Sequence, residues 1–122
     1  MNGTKPAVGW EGQGIGVRYV NVQNTLITER LVQDFAIGIQ HTAYAVGCGY
    51  NTVDAGYLRN NKINRQFRVG DLNGWTNRWD LHGGRYFHSS AEGIEVEGVV
   101  HFDVVPNATG LIINDINHWG GS

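Results

Sequence analysis

One cysteine, two prolines and one methionine occur in 122 residues. With Cys48 alone, the chain has no intramolecular disulfide and no cysteine-based zinc knuckle. Cys48 sits between small residues in Val46-Gly47-Cys48-Gly49, which predicts a small buried hydrophobe. Charge is also sparse, at 16% of residues with a net charge of −2. That balance gives no electrostatic case for nucleic acid or for an anionic membrane. No apolar run approaches membrane-spanning length, and the opening MNGTKPAVGWEGQG has no apolar signal-peptide core. The sequence has neither GxxxxGK[ST] nor GxSxG, which sets aside P-loop nucleotide binding and α/β-hydrolase chemistry. His41, His82, His88, His101 and His118 show no metal-spaced pairing, so neither a metal nor a cofactor is expected.

Helical periodicity is the other absence. The best candidate, residues 28–35, has Leu31, Val32 and Phe35 on one side but is too short to stand alone. What the chain has in quantity is glycine and asparagine, 18 and 12 residues respectively. Both tolerate positive φ, so they predict many tight turns between short strands. The organising stretch is 14–40, GIGVRYVNVQNTLITERLVQDFAIGIQ, where short β-prone runs alternate with Asn, Gln, Thr, Asp or Gly. It opens on Gly-Ile-Gly-Val and closes on Ala-Ile-Gly-Ile, the signature of a candidate solenoid.

Similar strands recur at 14–17, 36–39, 66–69, 93–96 and 110–113, at spacings of 22, 30, 27 and 17 residues. The irregularity is what loops of variable length produce. Residues 1–13 are expected to form a leader or N-terminal cap, with Trp10 sealing an open end of the core, and residues 14–122 the repetitive body. The recurring Asn residues predict turns or axial ladders. The loose basic cluster Arg59, Lys62, Arg65 and Arg68 is expected on a solvated face.

Three pieces carry a resemblance: NTLITERLVQDFAIGIQ (24–40), YNTVDAGYLRNNKINRQFRV (50–69) and NGWTNRWDLHGGRYF (73–87), the last followed by GIEVEG. Their Asn-x-hydrophobic, Gly-Gly-Arg and Gly-Ile-x-hydrophobic pattern resembles the coils of right-handed parallel β-helices in the pectate-lyase-like bodies of bacteriophage tailspikes and tail fibres. The resemblance implies an all-β fold, a short right-handed parallel β-helix of about five coils. It implies a homotrimeric virion tail component that contacts host surface polysaccharide and sometimes cleaves it. Five coils would stand only about 24 Å tall. Such bodies are usually several times longer, so a segment of a larger fibre, or a chain stabilised by trimerisation, is expected.

The chemically richest stretch is 71–86. Aromatic rings stack on the apolar faces of sugars, and planar polar groups fix their hydroxyls. Trp75, Arg78, Trp79, Asp80, His82, Arg85 and Tyr86 supply both and are the candidate saccharide-binding residues. Strand alternation would place Trp75, Asn77 and Trp79 on one face and Thr76, Arg78 and Asp80 on the other, and the tryptophans suit a core equally well. Catalytic residues are not identified. Glycoside hydrolysis needs two carboxylates about 5 to 9.5 Å apart; of the eleven acidic residues, Asp54, Asp71, Asp80, Glu92, Glu95, Glu97 and Asp103 are the candidates. The alternatives are therefore a polysaccharide-degrading glycosidase or lyase fragment using paired carboxylates, and a small β-sandwich lectin of antiparallel strands.

Overall fold

Runs of β-branched and aromatic residues broken by Gly and Asn form strands, because those side chains pack on a pleated surface and the breakers turn the chain. A computed structural model describes residues 14–44, 47–69, 75–87, 100–104, 108–109, 111–114 and 117–119. The protein is all-β. The strands are β1 (Ile15–Val20), β2 (Leu26–Thr28), β3 (Leu31–Gln33), β4 (Ile37–Ala43), β5 (Gly47–Asp54), β6 (Tyr57–Arg59), β7 (Ile63–Val69), β8 (Trp75–His82), β9 (Arg85–Phe87), β10 (Val100–Val104), β11 (Ala108–Thr109), β12 (Ile112–Asn114) and β13 (Asn117–Trp119). No membrane-crossing helix occurs among the described residues.

Three parallel sheets result. The first has the order β1-β4-β7-β10, the second β2-β5-β8 followed by β11 and β12, and the third β3-β6-β9-β13. The chain visits the sheets in the same order four times, so each pass lies one strand spacing beyond the last. Ile15, Ile37, Ile63 and Val100 are in register, so successive passes take 22, 26 and 37 residues. Of the five expected recurrences, 14–17, 36–39 and 66–69 fall in the first sheet. Residues 93–96 and the expected cap at 1–13 lie outside the described residues. Of the recurrence expected at 110–113, Ile112 and Ile113 belong to β12 of the second sheet, where Ile112 faces Asp80, and the fourth strand of the first sheet is instead Val100–Val104.

Register makes each inward position a row along the stack. Tyr19, His41, Phe67 and Val104 form one row, and Ile27, Val53, Leu81 and Ile113 another. Ala43, Cys48, Val53, Phe67, Trp79 and Leu81 form one buried cluster, and Val32, Ile39, Leu58 and Tyr86 a second. The buried thiol of Cys48 is pushed up by burial, as expected of a small hydrophobe. On the first sheet a polar row spans all four passes: Arg18 Nε donates to Gln40 (2.8 Å), Gln40 to Gln66 (2.7 Å) and Gln66 to Asp103 (2.8 Å).

The asparagines do more than turn the chain. Asn51 Oδ1 accepts from the Thr25 N–H (3.0 Å) and its Nδ2 donates to the Val22 carbonyl (2.9 Å). Asn61 does the same to Phe35 N–H (2.9 Å) and the Val32 carbonyl (3.1 Å). Each fully or almost fully buried amide therefore satisfies backbone groups of the preceding pass where the strands end.

The corner between the second and third sheets is Glu29-Arg30, then Ala55-Gly56, then Gly83-Gly84. Gly56 is forced by close approach: a Cβ there would lie 2.0 Å from the Arg30 carbonyl oxygen. Gly83, at φ +67°, has open space around it. Gly56→Ala should therefore cost about 1–3 kcal/mol in urea unfolding. Gly83→Asn should cost under about 1 kcal/mol, since Asn tolerates that conformation.

Candidate functional site

Two places concentrate polar chemistry, one inside the stack and one on its surface. The interior one begins at Arg65. In its row the other members are Val17, Ile39 and Phe102, so a guanidinium sits where the neighbours are apolar. Arg65 is fully buried, contrary to the solvated face expected for its cluster; in β7 it shares the inward parity of Phe67. Its charge is matched by Glu29, whose carboxylate reaches in from the corner of the first pass. Arg65 donates to both Glu29 oxygens, Nη1 to Oε2 at 3.0 Å and Nη2 to Oε1. Tyr19 Oη donates to Glu29 Oε2 (2.9 Å), and the Gly56 N–H approaches Oε1 (3.3 Å). Arg65 Nε donates to Tyr86 Oη (3.2 Å), and Nη1 lies 2.9 Å from His41 Nε2.

A buried charge is tolerable only when paired and fully hydrogen-bonded. Burial pulls the Arg65 guanidinium down, but Glu29 and Tyr86 outweigh it and hold the side chain more firmly charged than a free arginine. Burial, then Glu29, raises the Tyr19 hydroxyl; burial raises Tyr86 against the opposing pull of Arg65. Burial and the Arg65 cation drive His41 well below the usual histidine range, so its ring is neutral. That neutral ring stacks on Phe67 (centroids 4.2 Å, 9° between planes) and meets Trp79 edge-on (4.0 Å). The network ties the first three passes together.

The surface site is a groove of about 230 Å³ on the outer face of the second sheet. Tyr50 and Arg78, on adjacent strands, both have left-handed backbones, with φ 56° and 57°. Asn24, beside the Gln23–Gly49 bridge of the first pass, has φ 53°. Asn adopts that conformation readily, whereas Tyr and Arg do so at a cost of roughly 1–2 kcal/mol. The left-handed residue also resets strand parity. In β5, Cys48 and Asn51 are buried on either side of exposed Tyr50; in β8, Thr76 and Trp79 are buried on either side of exposed Arg78. Strict alternation cannot place Thr76 and Trp79 on one side, so the expected face assignment fails here.

The groove also holds Thr52, Asp80 and Ile112, which share one row. The Arg78 guanidinium carbon lies 6.0 Å from the Tyr50 ring centroid. Asp80 Oδ1 lies 2.9 Å from His82 Nε2, both groups partly exposed. Arg78, Asp80 and His82 are thus brought together on one face. Trp79 is not available to a ligand ring: it is fully buried and its Nε1 donates to the Cys48 carbonyl (3.0 Å). Tyr86 is likewise buried on Arg65. Arg85 is exposed on the third sheet, and the side chain of Trp75 lies outside the described residues, although its backbone pairs with Gly47. Tyr50 is the aromatic residue that the sequence reading missed; its position between Gly49 and Asn51, an abrupt bulky residue in a turn-prone run, was the available signal.

Among the acids, Asp54 and Asp80 share the outer face of the second sheet, while Asp103 lies on the first sheet as acceptor to Gln66. Asp71, Glu92, Glu95 and Glu97 lie outside the described residues. Among the described residues, no group of three or more His, Cys, Asp or Glu could hold a metal ion. Comparison of the chain with protein-family models, curated proteins and solved structures finds no match.

Removing one partner of the buried pair strands the other. Arg65→Met or Glu29→Gln should each cost about 3–5 kcal/mol, and the double variant clearly less than the sum, as read in a urea double-mutant cycle. His41 is neutral when folded and accepts a proton near pH 6.5 once unfolded. Its contribution is therefore present above about pH 6.5 and lost as pH falls below it, by up to about 1.4 kcal/mol per pH unit, until the folded-state pKa is reached. Urea midpoints measured from pH 7.5 to 5 should fall for the native chain and fall less steeply for His41→Phe.

Proposed function

We propose that the chain is a structural and adhesive module whose passes are the coils of a right-handed parallel β-helix and whose second sheet presents a saccharide-binding face. The observation that carries the reading is the pair Tyr50 and Arg78: two bulky side chains kept in left-handed backbone, exposed, and side by side over a groove. The fold uses a left-handed residue here in each of the first three passes, but Asn serves at Asn24, so bulky Tyr and Arg kept there at a conformational cost point to a functional position. The pair offers a ring for the apolar face of a sugar and a planar donor for its oxygens, with Asp80 and His82 alongside as further hydrogen-bonding groups. The phage tail, the homotrimer and the host surface polysaccharide as ligand come from the sequence resemblance.

The interior network is structural in this reading. Glu29 is already engaged by Arg65, Tyr19 and Gly56, which leaves no free carboxylate for acid–base work there. The test is incubation with a panel of bacterial surface polysaccharides, following both binding and new reducing or unsaturated ends. Binding without new ends is expected, weakened about tenfold or more by Tyr50→Ala or Arg78→Ala and little changed by Arg85→Ala. New chain ends would convert the reading to a polysaccharide-degrading enzyme. Binding indifferent to both groove substitutions would place recognition elsewhere.

A further inference from the structure

The two ends of the stack are complementary, and we infer that copies of this chain associate head to tail, the fourth pass of one seated on the first pass of the next. This rests on the coil architecture of the proposed function and not on its saccharide ligand. Among the described residues each sheet ends in β1, β2 or β3 on one side, and in β10, in β11 with β12, or in β13 on the other. The strand lengths are six, three and three residues at one end and, at the other, five, two plus three, and three. The inner passes differ, with seven and eight residues in their first two strands. Open parallel edges are templates for another strand.

The side-chain rows continue across such a junction. Extended by one pass in the same register, the polar row sets Asp103 of one copy against Arg18 of the next. Arg18 uses Nε on Gln40, and Asp103 uses Oδ2 on Gln66, so the chain of donors already runs from a cationic end to an anionic one. The same extension places Ile112 on Leu26 and Ile113 on Ile27, since each pair shares a row. It also places Phe102 and Val104 over Val17 and Tyr19, which line a cavity of about 270 Å³ at the first-pass end. The junction rows named here, in the first and second sheets, are apolar on apolar or cation on anion; in the third sheet Leu31, Val32 and Gln33 would meet Asn117, His118 and Trp119.

Exposure supports the same partner. Eight large hydrophobic side chains among the described residues are exposed, and six belong to the terminal passes: Val20, Leu26 and Leu31 at one end, Val104, Ile112 and Ile113 at the other. Leu26, 76% exposed, and Ile112, 49% exposed, are the two apolar ends of one outward row whose middle members are Thr52 and Asp80. Clustered exposed apolar surface marks an interaction site. Because the two patches differ and complement each other, the contact is heterologous and does not close on itself, so it propagates into a filament.

Sedimentation velocity of the full chain over rising concentration tests this. A series of species growing with concentration is expected. Arg18→Glu or Asp103→Lys alone should weaken association about tenfold or more, and the double reversal should restore it. A monomer at every concentration, a single closed oligomer, or association indifferent to both reversals would overturn the inference. An independent readout uses oxidative cross-linking. A mixture of Leu26→Cys and Ile112→Cys chains should give a mixed disulfide dimer, with none from either chain alone. A dimer from one variant alone, or no mixed dimer, would overturn it. Leu26→Cys/Thr52→Cys within one chain should form an intrachain bridge, because these residues are register neighbours. Failure of that bridge would count against the coil architecture, whereas failure of the mixed dimer with the bridge intact would count against stacking alone.

Discussion

Parallel register is the constraint on which everything else in this molecule depends. Each residue lies one strand spacing from its counterpart in the next pass, so a position is decided by its row. A row of apolar residues gives a dry core strip, as with Ile27, Val53, Leu81 and Ile113. The Arg18–Gln40–Gln66–Asp103 row gives a hydrogen-bonded strip in which glutamine, being donor and acceptor at once, links the two charged ends. The buried Asn51 and Asn61 belong to the same logic, because each satisfies backbone groups that the preceding pass leaves open at a strand end.

Arg65 is the exception that shows how strict the constraint is. β7 has no left-handed residue to reset its parity, so Arg65 turns inward with Phe67 into an otherwise apolar row. The chain answers with a carboxylate from an adjoining corner, two tyrosine hydroxyls and a neutral imidazole. Glu29 reaches Arg65 across a corner where the later passes carry Ala55-Gly56 and Gly83-Gly84, small residues that leave space at the turn. Fold and electrostatics are therefore one problem: the register determines where the charge is, and the corner determines what can reach it.

Much of the strand content was legible from the sequence, because Gly and Asn punctuate β-prone runs in 14–69, and the first three passes follow that punctuation. The fourth pass was less so. Its first-sheet strand, Val100–Val104, is separated from β9 by residues 88–99, and a period that stretches from 26 to 37 residues hides the repeat. The candidate site was legible in part. Arg78, Asp80 and His82 do share a face, but Trp79 and Tyr86 look like ligand aromatics only while the left-handed turn at Arg78 and the buried Arg65 are unknown. Parity arguments fail wherever one residue leaves the extended region, and nothing in the letters Asn-Arg-Trp announces that. Arg65 itself was readable: inward Phe67 implies inward Arg65, a conclusion obscured by counting charge in clusters and not by strand parity.

The central claim is that successive passes pair in parallel, in the stated register. Backbone proton contacts in a nuclear Overhauser spectrum of the labelled protein test it most directly. Parallel stacking predicts interstrand amide–Hα contacts linking the 52–54 and 80–82 segments, and the same between 37–43 and 63–69, without short Hα–Hα contacts across those pairs. Strong Hα–Hα contacts between neighbouring strands, the mark of antiparallel pairing as in a β-sandwich, would contradict the account.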